Sequence, residues 1–192
     1  MEHFPVVEAA RGLVVLLERH SAAFPQLGEE LERHRRLSDT LAEQRARCAQ
    51  ALTAWRAALA RRWQCEVAAQ RIYADARRKL RRYYHDSPAH ARVLAPTHAD
   101  HAYTASALLQ EVLRLAATLE VVAPLPPFAA ELRAELRAAA DDLAAAIEQT
   151  ADWEVELRRQ HTAERMAVQM ALQASERSRR LLSQYVGDEV CC

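Results

Sequence analysis

Glycine is nearly absent, at 3 of 192 residues. That is too few for a β protein rich in tight turns, where positions with positive φ call for glycine. Long hydrophobic runs are absent too. The longest near the start, LVVLL at 13–17, is far short of the roughly 18 residues of a membrane span. It lacks a basic leader, so no signal peptide and no transmembrane segment are expected. Net charge is missing: 26 Lys and Arg balance 26 Asp and Glu, which removes any global bias toward nucleic acid or membrane. The 4 cysteines (Cys48, Cys65, Cys191 and Cys192) have no metal-ligand spacing. They point to a reducing compartment and a cytoplasmic location. The terminal Cys191–Cys192 pair is read as a quiet tail rather than as a prenylation, metal or cross-linking site. No glycine-rich phosphate loop and no Gly-x-Ser-x-Gly elbow occurs, so the chain is not expected to be an enzyme, and no cofactor is expected.

What is present is helix-forming. Alanine, leucine, arginine and glutamate dominate, and hydrophobic residues reach 51%, enough for a packed core. The 7 prolines (Pro5, Pro25, Pro88, Pro96, Pro124, Pro126 and Pro127) leave four proline-free stretches at about 6–23, 26–86, 98–122 and 128–186. Two are short and two are long. A helix of about 60 residues would extend roughly 90 Å. Breaks are expected near 24–26, 87–97 and 123–127, with Thr97 capping the third helix.

The second stretch carries a heptad line. It runs Leu31, His34, Ser38, Leu41, Arg45, Cys48, Leu52, Trp55 and Leu59, breaks at Arg62 and Glu66, and resumes at Ala69, Tyr73, Ala76, Leu80 and Tyr83. A second apolar line (Leu37, Ala51, Ala58, Ile72) widens the stripe, which suits a multi-helix bundle.

The chain also aligns with itself at an offset of 102 residues. Pro25 meets Pro127 and Glu18 meets Glu120. Leu13, Leu17, Leu41, Leu80 and Tyr83 meet Leu115, Leu119, Leu143, Leu182 and Tyr185. The expected fold is therefore all-α: an elongated antiparallel helical bundle of two tandem short-helix/long-helix hairpins related by a pseudo-two-fold. They cover 1–86 and 108–188, with a linker and helix start at 87–107 and a tail at 189–192.

Charge is divided between the long segments. Residues 25–86 hold 14 basic against 8 acidic side chains, and residues 127–192 hold 8 against 12. Complementary long helices suit packing on each other or on partner copies. The expected function is a non-enzymatic structural or protein-interaction module that self-associates. The candidate interaction residues are Trp63, Arg71, Arg77, Arg78, Lys79, Arg81, Arg82 and Tyr84. Trp63 lies off the seam, as an interface anchor would; Trp55 and Trp153 are weighed between anchor and core. The basic run RRKLRRYYHDSP (77–88) is read first as a helix end, with Leu80 and Tyr83 inward and cations answering the helix dipole. The rival reading is an anion-binding module, its arginines on the phosphates of nucleic acid or a membrane surface.

A metal-binding bundle is the third reading. His85, His90, His98 and His101 cluster with Asp86 and Asp100 near the middle linker, where polar residues also gather without function. In the last long stretch Glu154, His161 and Glu164 fall on the seam. A di-metal bundle needs inward Glu-x-x-His steps, and HTAE (161–164) is the reverse order. These residues and Arg62–Glu66 are read as a buried salt-bridge layer that fixes register.

Overall fold

The computed structural model describes residues 4–85 and 104–186. They form four helices that pack against each other, with no strand among the described residues: α1 Phe4–Ser21, α2 Pro25–Tyr83, α3 Ala105–Val121 and α4 Ala129–Val186. No helix among them is long and apolar enough to cross a membrane.

Proline and capping chemistry set the boundaries. Pro25 opens α2 at the position where its missing N–H costs nothing. Before it, the amides of Ala23 and Phe24 both donate to the carbonyl of His20, closing α1. Thr104 caps α3, with its Oγ1 accepting from the Ala107 amide at 3.2 Å. The expected cap at Thr97 and the expected break at 87–97 lie outside the described residues. Between α3 and α4 the chain passes Pro124, Pro126 and Pro127, and Glu131 stands in the first turn of α4, where a carboxylate suits the helix dipole.

The chain divides into two compact units. One runs from Ala54 to Glu154. It packs Ala69, Tyr73, Ala76, Leu80 and Tyr84 of the α2 end against Leu108, Val112, Leu115, Ala116 and Leu119 of α3. Leu132, Leu136, Ala139, Ala140 and Leu143 of α4 complete this core. Glu120 and Arg137 pair α3 with α4. Tyr73 donates to Glu111, which also holds Arg114 at 3.0 Å.

The other unit takes the chain up to Thr53 and from Val155 onward. Its apolar packing falls into two clusters. Leu13, Leu17, Leu27, Leu31 and Leu182 form one; Leu41, Ala167, Val168 and Ala171 form the other. Glu30, His34 and Ser178 are buried polar side chains of this unit that bond to one another. Ser178 Oγ donates to Glu30 Oε1 at 2.9 Å and meets His34 Nε2 at 2.7 Å. Arg33 and Arg177 close on Glu30 at 2.5 and 3.7 Å from exposed positions. Glu18 and Arg35 pair α1 with α2 at 2.8 Å.

The heptad line on α2 is buried or half-buried from Leu31 to Leu80. Its last step is corrected. Tyr83 is 41% exposed, and Tyr84 takes the inward place at 2%. The buried positions there advance by four residues twice, Ala76 to Leu80 to Tyr84, as a 3.6-residue turn requires when it departs from a strict heptad. The Tyr84 hydroxyl donates to the carbonyl of Pro124 at 2.7 Å.

Candidate functional site

The outward faces of the long helices in the Ala54–Glu154 unit carry the feature that best resembles a binding surface. On α2, Arg56, Ala60, Trp63, Val67, Gln70, Ala74 and Arg78 are all exposed. They follow one another in steps of four and three, so they form a second, outward line on a helix already buried along its first. Trp63 is 65% exposed and Val67 48%, large apolar surface for positions facing water. Arg71 and Arg81 flank the line, and no carboxylate stands on it.

On α4 the outward line is Ala134, Ala138, Asp141, Ala145, Glu148 and Asp152, all exposed and again spaced by four and three. Small alanines let another helix approach closely, and the charges are all negative. Among the described residues, Arg56, Arg71 and Arg81 have no ion-pair partner, nor do Asp141, Glu148 and Asp152. A groove of about 410 Å³ also runs between α2 and α4, lined mainly by Cys65, Ala68, Ala69, Ile72, Ala138 and Ala139.

The residues expected from the basic run divide. Arg71, Lys79, Arg81 and Arg82 are exposed, as is Trp63. Arg78 is exposed and pairs with Asp75 at 3.1 Å. Arg77 is half-buried, its guanidinium 5.6 Å from the centre of the Tyr73 ring. Tyr84 does not belong on a binding face: it is buried, and the loss of water around its ring pushes the hydroxyl pKa up. Trp55 and Trp153 are half-buried. His85 is exposed, and His90, His98 and His101 lie outside the described residues.

A second cluster joins residues that the sequence leaves 113 positions apart. Cys48 of α2 is buried, with Sγ 3.3 Å from Nδ1 of His161 on α4. Glu164, one turn after His161, places Oε2 3.9 Å from the same nitrogen, and its Oε1 lies 3.6 Å from Arg45 Nε. Burial, then the hydrogen bond to Glu164 and its negative charge, holds the Cys48 thiol pKa above its ordinary value. Both neighbours approach the same imidazole nitrogen, so the set is not a nucleophile–base–orienter relay, in which the carboxylate holds the other nitrogen. The expected buried salt-bridge layer is only partly met: Arg62 pairs with Glu66 at 3.0 Å, but along one helix, and both are part-exposed. No family model matches the chain, and no curated protein or solved structure matches it.

Proposed function

We propose that the chain is a non-enzymatic helical interaction module that self-associates through the outward lines of α2 and α4. The reading rests on one observation: a basic line bearing exposed Trp63 and Val67, and an acidic line of alanines, stand on the same unit, and Arg56, Arg71, Arg81, Asp141, Glu148 and Asp152 have no ion-pair partner among the described residues. A second copy supplies the complement to each. Burying Trp63 and Val67 drives association, and the charge match selects the partner and its register.

Light scattering after size-exclusion chromatography tests this. The wild-type mass exceeds that of one chain and falls toward it as salt rises, because the flanking charges are screened. Trp63→Glu gives the single-chain mass with unchanged helicity. A wild-type chain that stays single at high concentration and low salt refutes the reading.

The same arginines favour one rival, an anionic surface such as nucleic acid or lipid headgroups. Binding to a labelled oligonucleotide and to anionic vesicles across a salt series distinguishes it. Steeply salt-dependent binding that Arg71, Arg78, Arg81 and Arg82 to alanine abolishes assigns the line to phosphates instead.

We also infer that α1–α2 and α3–α4 are tandem copies of one hairpin. Five pairs at the offset of 102 support it by their burial. Leu13, Leu17, Leu41, Leu80, Leu115, Leu119, Leu143 and Leu182 are all at or below 4% exposure, whereas Tyr83 and Tyr185 are both exposed, at 41% and 37%. The ion pairs Glu18–Arg35 and Glu120–Arg137 stand at the same offset, each joining a short helix to the long helix after it.

A further inference from the structure

We propose that Cys48, His161 and Glu164 form a binding site for a divalent, zinc-type metal ion that ties α2 to α4. The three ligand atoms lie within 4.8 Å of one another. A tetrahedral ion with usual Zn–S, Zn–N and Zn–O bonds holds sulfur and nitrogen about 3.6 Å apart, and nitrogen and oxygen about 3.4 Å apart. The chain sets the corresponding atoms at 3.3 and 3.9 Å, so small side-chain rotations close the shell around an ion.

The donors also choose the metal. One sulfur, one imidazole nitrogen and one carboxylate oxygen suit zinc or cobalt, whereas calcium and magnesium call for oxygen donors throughout. Cys48 and Glu164 together bring two negative charges once the thiol has lost its proton to the solvent on binding, matching a dication. Arg45 touches the other oxygen of Glu164 and holds that carboxylate toward the site. The imidazole of His161 is 56% exposed, so water reaches the fourth position. At the offset of 102 the corresponding residues are Thr150, Leu59 and Arg62, which cannot make such a shell. The site therefore belongs to one unit alone and is independent of self-association.

The test is a titration of the full-length purified chain with Co2+ in the absence of reductant thiols. One equivalent is expected to raise a thiolate-to-cobalt charge-transfer band in the near ultraviolet, which Zn2+ then removes by displacement. Cys48→Ser abolishes the band. His161→Ala and Glu164→Gln each weaken binding at least tenfold. His161 is exposed enough that its replacement leaves helicity unchanged, so the proposal does not depend on the buried Cys48 variant folding. A chain with Cys65, Cys191 and Cys192 replaced by alanine keeps the band. The proposal is overturned by an absent band, by a band that follows Cys65, Cys191 or Cys192, or by His161→Ala binding as tightly as wild type.

Discussion

Glu30, His34 and Ser178 are 2%, 2% and 0% exposed. At the offset of 102 their places are taken by Leu132, Leu136 and Ala76, likewise buried, at 2%, 0% and 0%. Those residues suggest an apolar replacement for the buried set. Ser178→Ala alone removes the donor to Glu30 and the partner of His34, leaving two buried polar groups short of a bond. Each costs about 1–3 kcal/mol, the carboxylate toward the upper end. The triple change Glu30→Leu, His34→Leu and Ser178→Ala removes all three polar groups together and roughly conserves volume, so no cavity forms. Burying each leucine contributes about 1.5–3 kcal/mol, and Arg33 and Arg177, both exposed, lose ion pairs with about 0–1 kcal/mol apiece. The triple variant is therefore expected to equal or exceed wild type, by about 1–4 kcal/mol as for other buried polar sets exchanged for apolar ones. Urea unfolding followed by circular dichroism measures the total. Amide exchange at residues 27–41 and 167–182 reports the affected unit, since two units need not unfold as one. A triple variant less stable than Ser178→Ala would refute the argument that these groups cost stability in the fold.

Three further outcomes follow from the same geometry. Leu80→Ala, at 0% exposure, is expected to cost about 2–5 kcal/mol in urea unfolding, whereas replacing Arg71, Arg81 and Arg82 by alanine leaves the midpoint nearly unmoved. Tyr84→Ala should destabilise far more than Tyr83→Ala, because it empties a buried site and removes the hydrogen bond to the Pro124 carbonyl; equal effects would contradict the inward assignment of Tyr84. Tyr73 and Tyr84 have hydroxyl pKa values raised by burial above the ordinary value of 10, so their contribution is complete below pH 10 and is lost as pH rises through the folded values. A variant with both as phenylalanine should lose less stability over that alkaline window.

The helix ends were largely legible because proline acts locally. Pro25 and the cluster Pro124, Pro126 and Pro127 state where a helix cannot continue, whatever the tertiary fold. The buried line of α2 was legible for the same reason, since a heptad is read along a single strand of sequence. Its last step was not. Tyr83 and Tyr84 differ in burial through a choice between a three- and a four-residue step, which a heptad alone does not settle. Trp63 was legible as a residue off the seam, but Val67 and the rest of the outward line were not, because periodicity names faces without saying which one meets water. Cys48, His161 and Glu164 all sat on the two seams, yet nothing in the spacing within either helix joins Cys48 to the other two. The antiparallel match of α2 to α4 does that, through pairs such as Cys48–His161 and Arg45–Glu164.

That match also explains where polar chemistry gathers. In the Ala54–Glu154 unit a contiguous apolar cluster runs across three helices, and the buried Glu111 beside it accepts from Tyr73 and pairs with Arg114. In the other unit the core is split, and it holds the buried set Glu30, His34 and Ser178, with Cys48, His161 and Glu164 farther along the same two helices. Starting from one ancestral hairpin, as the duplication reading holds, selection for stability alone would drive Glu30, His34 and Ser178 toward the apolar solution that Leu132, Leu136 and Ala76 display. A buried polar set that costs stability is better accounted for by a task, and the donor set of Cys48, His161 and Glu164 occurs in one unit alone. A metal clamp at Cys48 supplies one, because binding energy from an ion replaces packing energy that this split core lacks. On that argument zinc should raise the protection of amides in residues 41–53 and 157–171 above the rest of the chain, and the His161→Ala variant should show no such rise.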